Sequence, residues 1–178
     1  HRESGLPVAE VGELEDGLPH TLKLQWTAAT RTLEIRLDEA EEPTLRYVED
    51  IVTRHLGGLT EVRLGLTAST GAFSNRHVVE PQDIRQPSPE GEWVFVGAAA
   101  PQGQRLVLTP DLAGQAGAAW RSTPLDLAAD FEIEARVYLD RRHAKRLARG
   151  HAAGRFSSVT VWACELDVEP ESRKRGGK

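Results

Sequence analysis

Cys164 is the only cysteine in this chain, so no intrachain disulfide can staple the fold. That leaves an oxidising compartment and the cytosol both open. Methionine is absent altogether, and the chain starts at His1 with no signal-peptide pattern. It therefore reads as a processed chain or as a piece of a longer one. No apolar run approaches the roughly 20 residues that span a bilayer, so membrane insertion is not expected. A cationic excess is missing too. Lys and Arg number 22 against 27 Asp and Glu, a formal net charge of -5. Nucleic-acid binding needs cations to replace phosphate counterions, so it is not expected either. There is no Gly-x-Ser-x-Gly nucleophile elbow, no Gly-x-x-x-x-Gly-Lys phosphate loop and no Ser-His-Asp arrangement. His55, His143 and His151 show no metal-ligand spacing with carboxylates or with Cys164.

What is present is a polar globular composition: 178 residues, 28% charged, 39% hydrophobic and 6% aromatic. This length suits one domain or pieces of two, and it buries about 70% of the unfolded surface if it folds as a unit. The dominant pattern is period-two alternation. Leu22, Leu24 and Trp26 alternate with Thr21, Lys23 and Gln25; Leu33, Ile35 and Leu37 alternate with Thr32, Glu34, Arg36 and Asp38. Thr27 to Arg31 between them predicts a hairpin loop. Further apolar stripes are Val62, Leu64, Leu66; Leu106, Leu108; Phe131, Ile133, Ala135, Val137, Leu139; and Val159, Val161, Ala163. Half-buried antiparallel strands alternate in this way, and at this density they predict an all-β sandwich of two sheets.

Some stretches break the pattern. Asp38 to Glu42 is acidic and predicts a solvated loop. Arg141 to Arg155 is basic and alanine-rich, a short helix or a disordered loop. Ser172 to Lys178 is a basic, glycine-rich tail. Pro81 to Glu92 carries Pro81, Pro87 and Pro89, and proline interrupts sheet ladders, so this stretch predicts a linker or crossing loop.

The alternating stretch Glu61-Val62-Arg63-Leu64-Gly65-Leu66 runs into Thr67-Ala68-Ser69-Thr70-Gly71, read as a small-residue turn. Then come a short polar loop and His77-Val78-Val79. Together with Gly17 to Trp26, Thr30 to Ile35 and Asp50-Ile51-Val52, this resembles the L-type (legume-lectin-like) lectin domain over residues 17 to 79. The likeness lies in strand pattern and turn chemistry. Trp93 to Ala99, Leu106 to Thr109, Gln115 to Trp120 and Pro124 to Phe131 resemble the beginning of the same domain. The resemblance implies an antiparallel jelly-roll sandwich like that of concanavalin A. It also implies an order in which residues 1–80 are a C-terminal half, 81–92 the linker or crossing loop, 93–171 an N-terminal half and 172–178 the tail. Two arrangements explain that order: a piece of a tandem array, or a circular permutation, which concanavalin-type lectins show. Closing a loop such as 81–92 costs little where the joined ends lie side by side.

The resemblance further implies that the loop after Gly71 helps to form a sugar site. Sugar recognition needs directional donors and acceptors plus one apolar face. Gly71 and Ala72 offer backbone amides, Ser74 a hydroxyl, Asn75 an amide group and Phe73 an apolar ring. As a plain surface loop, the same residues would serve a turn, with Gly71 supplying conformational freedom. In that plain loop Asn75 would satisfy backbone groups; the loop is expected to be exposed, so truncating Asn75 should cost little stability.

The family's calcium and transition-metal site lies on a Val-Glu-Phe-Asp strand. Cys164-Glu165-Leu166-Asp167-Val168 resembles a degraded form of it, with Glu165 and Asp167 on one strand face. Calcium prefers 6–8 oxygen ligands. This chain is therefore not expected to bind calcium tightly, although an intact domain of the family would. The family's Asp-Gly pair has no clear match, since Asp140 is followed by Arg141. Glu132 and Glu134 share a strand face with Arg136 and Tyr138 and read as a cross-paired surface, not as a glycosidase pair. No catalytic residue is assigned. The function implied is non-catalytic carbohydrate binding, with a glycan or glycoconjugate as partner, inside a larger secreted or cell-surface protein. A structural or adhesive β-module without a sugar site is the alternative, and a glycosidase of the same sandwich class a weaker one.

Overall fold

The computed structural model describes residues 9, 11, 14–72, 74–86, 91–139 and 157–165. In chain order the strands are β1 (Pro19–Thr27), β2 (Thr32–Leu37), β3 (Leu45–Val48), β4 (Glu61–Thr70), β5 (His77–Arg85) and β6 (Trp93–Gly97). They continue as β7 (Ala100–Gln102), β8 (Arg105–Thr109), β9 (Ala116–Arg121), β10 (Leu125–Asp126), β11 (Phe131–Leu139) and β12 (Ser157–Glu165). One short helix, α1 (Ile51–His55), lies between β3 and β4. A seven-stranded sheet has the order β3-β2-β1-β11-β5-β8-β7; a five-stranded sheet runs β10-β4-β9-β6, with β12 on β4. Every pairing is antiparallel.

The period-two stripes explain the register. On β1, Trp26 stands between Leu33 and Phe131, Leu24 between Ile35 and Ile133, and Leu22 between Leu37 and Ala135. These rows put apolar side chains on one face, where they meet the stripe of β4. Val62 and Leu64 join Trp26, Phe131 and Ile133 in one buried cluster. Leu66, Ala68 and Ala119 join Val79, Leu106 and Leu108 in a second. Trp93 packs against both. Each cluster draws on both sheets, which makes the molecule an all-β sandwich. Strands from residues 1–80 and from residues 93–165 interleave in each sheet: β1 lies between β2 and β11, β4 between β9 and β12.

The structure differs from the sequence expectations in two places here. Thr67 to Thr70 is not a turn. It is the end of β4, because its small side chains pair with Ala116 to Ala118 on one side and with β12 on the other. β5 also runs through Pro81 to Arg85, into the stretch expected to be a linker. Proline is tolerated there for two reasons. Pro81 faces Ala135 at a register shift in the β11 ladder, and the β8 ladder has already ended at Val79. Residues 87–90, 140–156 and 166–178, which include the whole of the basic stretch and the tail, lie outside the described residues.

Gly65 is the one glycine of β4, and its place is set by Trp120 of the neighbouring strand. The indole lies across it, so an added Cβ would stand 2.2 Å from a ring carbon. Gly65→Ala is expected to lower stability by about 1 kcal/mol, at the low end for overpacking because half-buried Trp120 can swing outward. Urea denaturation of parent and variant measures this.

Candidate functional site

The loop 71–76 leaves the end of β4 and runs beside a second loop, 110–115, between β8 and β9. Backbone and side chain zip the two together. Gly114 N–H donates to Gly71 O (2.9 Å), and Thr70 N–H donates to Gln115 O (2.8 Å). The Thr70 hydroxyl donates to Leu112 O (2.9 Å) and accepts from Gln115 N–H (2.8 Å). The left-handed backbone that the turn needs falls on Gly114 (φ 66°) and not on Gly71, correcting the expectation for Gly71. Leu112, with 58% of its surface exposed, stands on the rim of this loop pair. Phe73, expected to offer the apolar face, lies outside the described residues.

Asn75 corrects the expectation most sharply. It is buried, at 7% exposure, not solvated. Its side-chain amide donates to Glu15 Oε1 (3.2 Å), tying the loop to the segment before β1. Its carbonyl accepts from the Thr109 hydroxyl (3.1 Å). Burial of a short polar loop around one amide is the ordinary way to satisfy backbone groups that no ladder reaches. Ala72 is exposed, Gly71 and Ser74 half-buried.

Below Asn75 lies His77, with 0% exposure. Its Nδ1 is 2.6 Å from the Thr109 hydroxyl oxygen, which also accepts from His77 N–H (3.3 Å). A hydroxyl has one hydrogen, and Thr109 donates it to the Asn75 carbonyl, which can only accept. His77 Nδ1 is therefore the protonated nitrogen, and Nε2 carries the lone pair. Burial holds the imidazole below its ordinary pKa, with nearby Glu15 acting weakly the other way. His20 is the opposite case. Its Nδ1 meets Asp38 (2.7 Å) and its Nε2 meets Asp16 (3.1 Å), and the bond to Asp38, more than the one to Asp16, raises its pKa above the ordinary value despite burial. With both nitrogens donating to carboxylates, His20 is not a free base. It pins the start of β1 to the acidic loop after β2.

These two shifts predict opposite pH effects. His77 has a folded pKa below its unfolded value of about 6.5, so the unfolded chain binds the extra proton and stability falls as pH drops below about 6.5. His20 has a raised folded pKa. Its contribution is fully present below about 6.5 and is lost as pH rises through the folded value. In denaturation midpoints taken between neutral and mildly acidic pH, His77→Asn is expected to flatten the acid loss and His20→Asn to steepen it.

Of the residues expected at a metal site, Glu165 ends β12 and Asp167 lies outside the described residues. Among the described residues no three His, Cys, Asp or Glu side chains come together. Glu132 lies within reach of Lys23 (3.0 Å) and Arg85 (3.4 Å), as a cross-paired surface should. No described helix is long and apolar enough to cross a membrane.

Sequence reasoning missed Leu112 and the whole 110–115 loop. The signal was Pro110-Asp111-Leu112-Ala113-Gly114, a turn sequence with an apolar residue at its tip. It also missed a recess at the other end of β4. There the β1–β2 turn, Asp50 with α1, and the β10–β11 turn border an open recess of about 520 Å³. No protein-family model matches the chain.

Proposed function

We propose that this sandwich is a non-catalytic carbohydrate-binding module of a larger secreted or surface protein, a jelly-roll relative of the L-type lectins. The observation that carries this reading is the pair of zipped loops, 71–76 and 110–115. They form a pre-ordered rim with Gly71, Ala72 and Ser74 on one side and exposed Leu112 on the other. A rim fixed by its own hydrogen bonds loses little entropy on binding. Directional amide and hydroxyl groups beside one apolar side chain are what a sugar ring with a polar edge and a C–H face requires. Leu112 supports the apolar role first expected of Phe73. Asn75 acts through the loop, holding it in shape from beneath, and not by touching the glycan. Calcium belongs to the reading only for an intact domain with further ligands.

One observation favours the second reading, a structural or adhesive module. Asn75, the residue of the loop best able both to donate and to accept, is turned inward. A glycan array probed with the parent chain separates the two. Binding to at least one glycan class supports the lectin reading; silence across the array favours the structural module.

A further inference from the structure

We propose that strand β6 is an interface between two copies of this chain, which pair antiparallel to one another about Phe95. β6 is the outermost strand of its sheet, and among the described residues no strand pairs with its far side. The β9 ladder fixes which backbone groups face that side. Ser122 N–H donates to Glu92 O (2.8 Å), and Ala98 N–H donates to Ala116 O (2.9 Å). Alternate residues of a strand bond to the same neighbour. Val94 and Val96 therefore turn their backbone groups to β9, and Phe95 turns its N–H and C=O to the open edge.

Open strand edges are ordinarily guarded by shortness, charge or proline. The seven-stranded sheet guards both of its edges. β3 has four residues and carries exposed Arg46; β7 has three and carries Pro101. β6 has no such guard. Trp93-Val94-Phe95-Val96-Gly97 is uncharged and free of proline, and Val94 and Val96 are 53% and 54% exposed. The two outer faces of the sandwich differ in the same sense. That of the seven-stranded sheet carries ion pairs, such as Lys23 with Glu132 and Arg36 with Glu34. The rows that continue from β6 carry no charge: Val94 lies beside Trp120 and Gly65, and Val96 beside Ala118 and Thr67. An uncharged edge that runs into an uncharged face is suited to being covered by protein.

The order of side chains selects the occupant. Val94-Phe95-Val96 reads the same in both directions. In an antiparallel pair centred on Phe95, Val94 of each copy stands opposite Val96 of the other on the outer face, an apolar cross-strand match. Half-buried Phe95 meets its own copy on the inner face, and each Phe95 N–H donates to the carbonyl of the other. Such a contact is isologous, so it closes at two copies and does not propagate.

Sedimentation velocity of the full chain from about 10 µM to about 1 mM tests this, the range in which a small interface associates. The mass is expected to rise from one chain to two and to stop there. Val94→Lys together with Val96→Lys is expected to weaken association at least about tenfold without moving the denaturation midpoint, because both side chains are exposed. Val94→Glu together with Val96→Glu should do the same. Mixing these two double variants sets opposite charges across from each other at positions 94 and 96, and is expected to restore association at low salt. One chain at every concentration would overturn the proposal and leave the edge to a strand of another protein. A dimer that survives the lysine substitutions, growth beyond two copies, or oppositely charged variants that stay apart when mixed would overturn it as well.

Discussion

Trp26→Ala is expected to lower folding stability by about 3–5 kcal/mol, the range for truncating a buried tryptophan. The side chain is 2% exposed and sits in the row between Leu33 and Phe131, with Val62 and Leu64 of the opposite sheet in the same cluster. It also carries the bond from Nε1 to Leu127 O, which spans 101 residues of chain. Alanine removes the ring and that bond together, leaving a buried carbonyl unpaired. Trp26→Phe separates the two contributions. It keeps most of the apolar volume and should cost about 1–3 kcal/mol, chiefly from the orphaned carbonyl. Chemical denaturation followed by far-ultraviolet circular dichroism measures both. A loss below about 1 kcal/mol for the alanine variant would mean that the two sheets do not meet at this residue.

Asn75→Ala is expected to cost about 1–3 kcal/mol, because it removes a buried polar side chain together with its bond to half-buried Glu15. The amide bond to Glu15 is lost, and with it the tie between loop 71–76 and the segment before β1. The carbonyl of residue 75 still accepts from Thr109, so the damage should stay local. Hydrogen exchange is the sharper readout: the amides of Thr70, Gly114 and Gln115 should lose protection while those of β1 and β11 keep theirs. Unchanged stability together with unchanged protection would mean that the amide faces solvent.

Local alternation made most of the sandwich legible in the sequence. The stripes on β1, β2, β4, β8 and β11 were visible because these strands turn one face to the core, and burial imposes the period. Pairings were not visible. Nothing near Asn75 announces Glu15, which is 60 positions away, and nothing near His20 announces Asp38. A short polar residue in a loop carries the same local signal whether it bonds to a ligand, to water or to a distant carboxylate. Pro81 misled for a related reason. Proline forbids one ladder bond, but whether that bond is needed depends on where the neighbouring strand ends, and β8 ends its ladder at Val79. The Thr67 to Thr70 stretch misled through its small residues. They suit a turn, and equally suit a strand flanked closely on both sides. The recess beside Ala28 and Ala128 is a gap between two turns and the start of α1, and no one of the three hints at it alone.

The central claim is that the zipped loops form a glycan-binding rim with Leu112 as its apolar contact. The most direct test compares the parent chain with Leu112→Asp for binding to the glycan that the parent retains best on an array. Leu112 is exposed, so the substitution should change stability by less than about 0.5 kcal/mol. The account predicts equal denaturation midpoints and at least about tenfold weaker binding by the variant, since a carboxylate replaces the surface that receives the sugar's C–H face. Equal binding by parent and variant would contradict it.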